Sequence, residues 1–236
     1  MDESLASSEE SARIMLIRLS LEAQDVVFEI LRSKMVQLLE SLVFMELTPK
    51  VLSLHPHEVI EDAIQFLEAK MGVLSSLPEA ARTIAFFTCC NSIAHAVLQH
   101  LLSDKVKVIN IFFLAALEQD CRTLAKYALT TDIPSLHLCF AELHETAQAA
   151  LHRDLPKLAT DPGQRHRLFP KLDPSKLAQI LEKVQAVENV PASSMLPKYD
   201  ASSVRSICAN LRKRHPLREE KQPAVAQKVV LKGQGR

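Results

Sequence analysis

At 236 residues, 47% of them hydrophobic, the chain is long enough for a sizeable core and too apolar to be disordered. Its four glycines argue against a hairpin-rich sheet, whose turns need positive φ, and against a glycine-rich phosphate loop. The formal net charge is zero, but nine Lys/Arg and two Asp/Glu lie between Arg205 and Arg236, so a body of about −7 precedes a tail of about +7.

Residues 1–10 are polar and acidic and are expected to fray. From Ile14 the apolar positions step by three and four through Ile17, Leu21, Phe28, Leu31, Met35, Leu38, Leu42 and Met45, with Gln24 the one polar member. The spacing predicts one long helix, or two joined end to end, of about 50 Å. Its seam either meets a partner as a coiled coil or packs within its own bundle. Pro49 and Pro56 break it, and Ile60, Ala63, Ile64, Leu67 and Met71 mark a second helix. Pro78 opens a third, to about Leu102, that is apolar on most sides and places Phe86, Phe87, Ile93 and Val97 in the core. Asn110 caps a fourth, to about Leu129.

Asp132 to His152 reads as a fifth helix, with Leu136, Phe140, Leu143, Ala147 and Leu151 on one face. A proline-rich connection runs from Pro156 to Pro174, and a helix follows to about Val187. Pro191 and Pro197 break the chain again. The last helix, about Asp200 to Arg214, turns Val204, Ile207, Cys208 and Leu211 inward. From Pro216 the sequence is basic, weakly patterned and expected to be disordered. No segment alternates convincingly as a strand. The expected fold is all-α, an elongated bundle of about six or seven helices, divided into residues 1–49, a bundle over 50–215 and a basic tail over 216–236.

Reactive constellations fail on spacing. His144-Glu145 begins like a helical zinc motif, but the position one turn on is Gln148. His95 and His100 share no face well, His137 and Cys139 point different ways, and Cys89-Cys90 has no partner pair at metal spacing. Glu58, Glu61 and Asp62 read as a solvated face rather than catalytic acids. No serine sits in a nucleophile elbow. No Phe, Tyr or Trp follows Tyr199, so the basic end lacks the interleaved aromatics of a nucleic-acid surface. The five cysteines, Cys89, Cys90, Cys121, Cys139 and Cys208, lie in apolar helical contexts and suit reduced thiols. No continuous run reaches the ~18 apolar residues of a membrane span. The chain is therefore expected to be soluble and cytoplasmic, with no catalytic, cofactor-binding or metal-binding residue and no cofactor.

Residues from about 20 to 214 resemble the C-terminal region of the Sec-fifteen subunit of the exocyst, the complex that tethers secretory vesicles to the plasma membrane. "HEVIEDAIQFLEAKMGVLSSLPEAARTIAFFTCCNSIAHAVLQHLL" is similar to the family's pair of long apolar helices separated by a leucine-proline junction. "SDKVKVINIFFLAALEQDCRTLAKYA" resembles its basic linker opening a helix with an acidic middle, here Lys105, Lys107, Asn110, Glu118 and Asp120. "LHLCFAELHETAQAAL", "LDPSKLAQILEKVQ" and "DASSVRSICANLRKR" resemble the helices that follow, the last of them basic.

The resemblance implies an exocyst-subunit-like fold and a non-enzymatic tethering subunit. It implies residues 1–49 as the end of a preceding rod, other exocyst subunits as partners, and a C-terminal helical domain that binds a Rab-family GTPase in its GTP form. The loop from Arg165 to Leu172 is then a candidate binding edge carrying Arg167, Leu168, Phe169 and Lys171, held by Pro170 and Pro174, with Asp173 capping the next helix. The alternative is that the two prolines merely end one helix and begin another. Arg212, Lys213 and Arg214 are candidates for peripheral contact with an anionic membrane, and no nucleic-acid partner is expected. Two other readings stand beside this one: a generic helical scaffold or tethering-complex rod subunit that binds partner helices, and an enzyme with its site assembled across helices. The last would need facing carboxylates that the sequence does not offer.

Overall fold

The computed structural model describes residues 2–53, 55–187, 196–197 and 200–213. The expected basic tail, together with Arg214, lies outside the described residues. The elements in order are α1 (Asp2–Leu39), a 3-10 turn (Glu40–Phe44), α2 (Glu58–Leu74), α3 (Glu79–Leu102), β1 (Ile109–Asn110) and α4 (Ile111–Thr130). A second 3-10 turn (Leu136–Phe140) leads to α5 (Ala141–Ala150), α6 (Leu155–Thr160), α7 (Pro162–Leu168), α8 (Pro174–Leu181), β2 (Val184–Gln185) and α9 (Ala201–Arg212). The fold is all-α, as expected.

At the centre lies α3, packed against α1, α2, α5, α8 and both 3-10 turns. By length and composition it is apolar enough to cross a bilayer. Here it fills a helical core instead, with Phe86, Cys90 and Ile93 fully buried. Phe87 is half-buried on its flank. The helix ends against a cation from elsewhere in the chain. Lys183 Nζ donates to the Leu101 and Ser103 carbonyls at 2.6 and 2.7 Å. An ammonium at a helix C-terminus satisfies orphan carbonyls and complements the dipole.

The prolines open helices more often than they interrupt them. Pro156, Pro162 and Pro174 stand in the first turns of α6, α7 and α8, where a missing N–H costs nothing. The stretch expected to be a connection from Pro156 to Pro174 is therefore two short helices and a turn, and nine α-helices are present among the described residues. The single helix expected from Asp132 to His152 is broken at its start. Pro134 is followed by Ser135 in the left-handed region (φ 63°), and the chain passes through a 3-10 turn before α5 begins. Helix α1 begins at Asp2, inside the segment expected to fray. Among the described residues the one β feature is a two-residue parallel bridge, Ile109 to Val184 and Asn110 to Gln185, too short to show alternation in sequence.

The long seam that begins in α1 divides in two. Leu31, Met35 and Leu42 enter the core and Leu38 is half-buried beside the buried Leu39, while Ile14, Ile17 and Leu21 are each more than half exposed. The acidic middle of α4 faces inward. Asp120, fully buried, accepts from the His57 backbone N–H at 2.8 Å, and its other oxygen lies 2.6 Å from His57 Nδ1. This fixes the start of α2 to the middle of α4. Asn110 caps α4 through Phe113 N (2.9 Å) and donates from Nδ2 to the Pro49 carbonyl (2.7 Å), so the linker after α1 is tied to the same helix.

Candidate partner-binding site

Residues 165–173 form the corner between α7 and α8, and their side chains divide into two groups. Arg165, which opens the expected binding loop, points inward. It is buried, and its guanidinium donates to the Leu158 carbonyl at 2.8 Å, tying α7 to α6. Burial lowers its pKa. Phe169 is also buried, edge-on to His152 with ring centroids 6.0 Å apart. Asp173 caps α8, accepting from Ser175 N at 2.8 Å and Lys176 N at 3.3 Å. The backbone between them is held from the side, because Lys171 N–H donates to Glu145 Oε2 at 2.6 Å. Leu172 N–H closes the turn onto the Phe169 carbonyl at 3.3 Å. Arg167, Leu168 and Lys171 face solvent, with Leu168 46% exposed.

Beside this corner lies an open groove of about 650 Å³ whose lining includes Leu168, Phe169, Glu118, Arg122, Gln148 and His152. One oxygen of Glu118 accepts from Arg122 Nε at 2.6 Å, with His144 Nε2 at 3.3 Å and Gln148 Nε2 at 3.4 Å. His144 and Glu145, neighbours in sequence, thus take different partners: one sits on Glu118 and the other on the Lys171 backbone. Among the described residues no group of three or more His, Cys, Asp or Glu side chains is placed to hold a metal. Burial pushes the thiols of Cys89 and Cys139 up to about 11, so at neutral pH neither carries the thiolate a nucleophile needs.

The second predicted surface is partly occupied by the fold. Arg212 makes a two-pronged pair with Glu182, both contacts at 2.6 Å, which pins α9 to the end of α8. Cys208 Sγ donates to the Ala178 carbonyl across the same contact at 3.4 Å. Lys213 reaches Asn210 Oδ1 at 2.9 Å, within its own helix end.

Glu145 as the residue that holds the corner went unread in the sequence. It stands 26 positions from Lys171, and a carboxylate bound to a distant backbone N–H leaves no spacing signature. The role of Lys183 was hidden for the same reason, its carbonyl partners lying 80 and 82 positions away. Glu118 and Asp120 were visible only as acidic positions in the family's pattern.

No curated protein and no solved structure matches the chain. One family model does, described as Exocyst complex subunit Sec15 C-terminal, over residues 6–183. The match runs from the projecting half of α1 through the 165–173 corner and α8, and it covers well over half of the chain. The chain accordingly belongs to the C-terminal family of the exocyst subunit Sec-fifteen, non-enzymatic scaffold subunits that act with other exocyst subunits in vesicle tethering.

Proposed function

We propose that this chain is a non-enzymatic tethering subunit that binds a Rab-family GTPase in its GTP form through the α7–α8 corner. Membership of the exocyst family supports the tethering role. The observation that favours this corner is the pairing of an exposed apolar residue, Leu168, with a rigidly held backbone. Glu145 and Asp173 fix the turn from two sides, and Phe169 anchors it beneath. A pre-ordered edge loses little freedom on binding, so its contacts appear as affinity. GTPase switch regions are ordered only around the γ-phosphate, so such an edge recognises the GTP form. Residues 1–49 enter this reading as the end of a rod, and the basic end from Arg205 onward as an electrostatic contact with an anionic leaflet.

The test is a pull-down of Rab proteins loaded with GTP or GDP, using the wild-type chain and two outward-facing variants, Leu168→Asp and Lys171→Glu. Selective capture of a GTP-loaded Rab, lost in the variants while the far-ultraviolet circular dichroism is unchanged, is the expected result. Equal capture of the GDP form removes the effector reading. Full binding by both variants moves the surface elsewhere on the bundle. Asp173→Ala, which frees the turn without touching its outer face, is expected to weaken binding less than Leu168→Asp.

A further inference from the structure

The charges around the α7–α8 corner are not in balance. Its carboxylates are already in use. Glu142 pairs with Lys176, Glu145 holds the Lys171 N–H, and Asp161 and Asp173 cap α7 and α8. In the lining of the neighbouring groove Glu118 is buried and engaged, which leaves Asp154 as the one acid there whose carboxylate has no partner among the described residues. The cations are the reverse. Arg153 in the lining, and Arg167 and Lys171 on the corner, are exposed, and their side chains make no hydrogen bond or ion pair among the described residues. On a body of about −7 this is a local excess of positive charge.

Arg122 differs from these cations in being held. Its side chain is 63% exposed, yet its Nε is fixed on Glu118 Oε1 at 2.6 Å. His144 and Gln148, both on α5, reach the same oxygen at 3.3 and 3.4 Å, so the carboxylate is itself braced between α4 and α5. A guanidinium carries five N–H donors, and this contact uses one. The two terminal amino groups of Arg122 have no partner among the described residues, and the side chain lines the same groove as Leu151, Leu168 and Phe169. A planar fork restrained at its stem is suited to take a carboxylate through both amino groups. Restraint before binding also limits the side-chain freedom lost on binding.

We propose that Arg122 is the specificity-determining anchor of this groove, where it receives an Asp or Glu side chain from the partner's surface while Leu168 packs on an apolar neighbour of that acid. The inference rests on the GTPase reading of the corner and adds the chemistry that selects the partner. Glu118 offsets the charge of Arg122, and Arg153, Arg167 and Lys171 supply the surplus that draws an acidic surface in. Arginine is among the residues that most often dominate an interface, and here one stands ready-placed beside an exposed leucine.

Titration of the full chain with the GTP-loaded Rab that the pull-down selects tests this, using wild type, Leu168→Asp, Arg122→Ala and Arg122→Lys. Arg122→Ala is expected to weaken binding roughly 10- to 100-fold with the far-ultraviolet circular dichroism unchanged. Arg122→Lys, which keeps the charge but not the fork, is expected to recover part of that loss. Wild-type binding is expected to weaken as salt rises from about 50 to 300 mM, and that of Arg122→Ala to respond less. Changing the acids on the Rab's effector surface to Arg one at a time is expected to find one whose variant regains affinity for Arg122→Glu. The outcomes separate the two readings. Absence of any GTP-selective capture removes the corner reading and the anchor with it. Binding abolished by Leu168→Asp but intact in Arg122→Ala leaves the corner standing and overturns the anchor. A loss in Arg122→Ala that Arg122→Lys does not relieve and no changed acid rescues reduces Arg122 to a brace for Glu118, and overturns it too.

Discussion

Phe86 and Phe87 are adjacent on α3 and chemically identical, so they isolate what burial alone contributes. Phe86 has no exposed surface and touches the centre of the core, whereas Phe87 lies half-buried at its edge. Phe86→Ala removes about 3 kcal/mol of transfer free energy and leaves a cavity that the surrounding helices cannot close, for a total cost of about 3–5 kcal/mol. At Phe87 roughly half of that transfer term is at stake and solvent fills the gap, so the cost is about 1–2 kcal/mol. A chain of this length loses about 2–4 °C of Tm per kcal/mol, which predicts a drop of about 6–20 °C for Phe86→Ala and about 2–8 °C for Phe87→Ala. Thermal melts followed by far-ultraviolet circular dichroism, with urea midpoints as a second measure, read both. Equal or inverted losses would mean that α3 is turned differently about its axis, and the core built around it would have to be redrawn.

Three further outcomes follow from the polar interior and the basic end. Asp120→Ala leaves the His57 backbone N–H and ring without their partner and is expected to cost about 2–4 kcal/mol in urea denaturation, well above the loss from Glu61→Ala on the solvated face of α2. Lys183→Met keeps the aliphatic stem but removes both donors to the end of α3, and is expected to cost about 1–3 kcal/mol. Co-sedimentation with anionic liposomes is expected to fall as salt rises, to weaken on truncation after His215, which keeps Arg212, Lys213 and Arg214, and to be lost on removal of residues 205–236, each cation near the surface contributing about 1 kcal/mol. Undiminished binding after both truncations would place the membrane contact elsewhere.

How far the sequence could be read depended on whether an interaction was local. Val204, Ile207, Cys208 and Leu211 fall inward in α9 because helical period and apolar pattern report the same thing. The caps Asn110 and Asp173 were legible because a cap and its N–H donors lie within three residues. The region from Pro156 to Pro174 misled because proline marks both the end of one helix and the first turn of the next. Only the packing of Leu155, Leu158 and Ala159 into the core shows which role Pro156 takes. The seam that begins in α1 has one period from Ile14 to Met45, and nothing in that period announces that Ile14, Ile17 and Leu21 are left more than half exposed among the described residues. Coverage is a property of tertiary placement, and spacing does not encode it.

The same distinction decides what the 165–173 corner can offer a partner. Arg165, Phe169 and Asp173 each satisfy a need of the fold: a pair of helix-end carbonyls, a core contact and an orphan helix N-terminus. On the proposed reading, removal of Arg165 or Asp173 weakens capture by moving the chain rather than by deleting a contact. Arg167, Leu168 and Lys171 have side chains turned to solvent, and Lys171 is held through its backbone N–H, so its side chain can be reversed in charge without disturbing the turn. The same holds at α9, where the Glu182 pair already engages Arg212 and a lipid headgroup would have to compete for it. A substitution at an outward residue that alters capture while leaving stability unchanged therefore reports a contact. One at an inward residue that alters both reports the scaffold. Leu168→Asp and Asp173→Ala, measured side by side for GTPase capture and for melting temperature, separate the two.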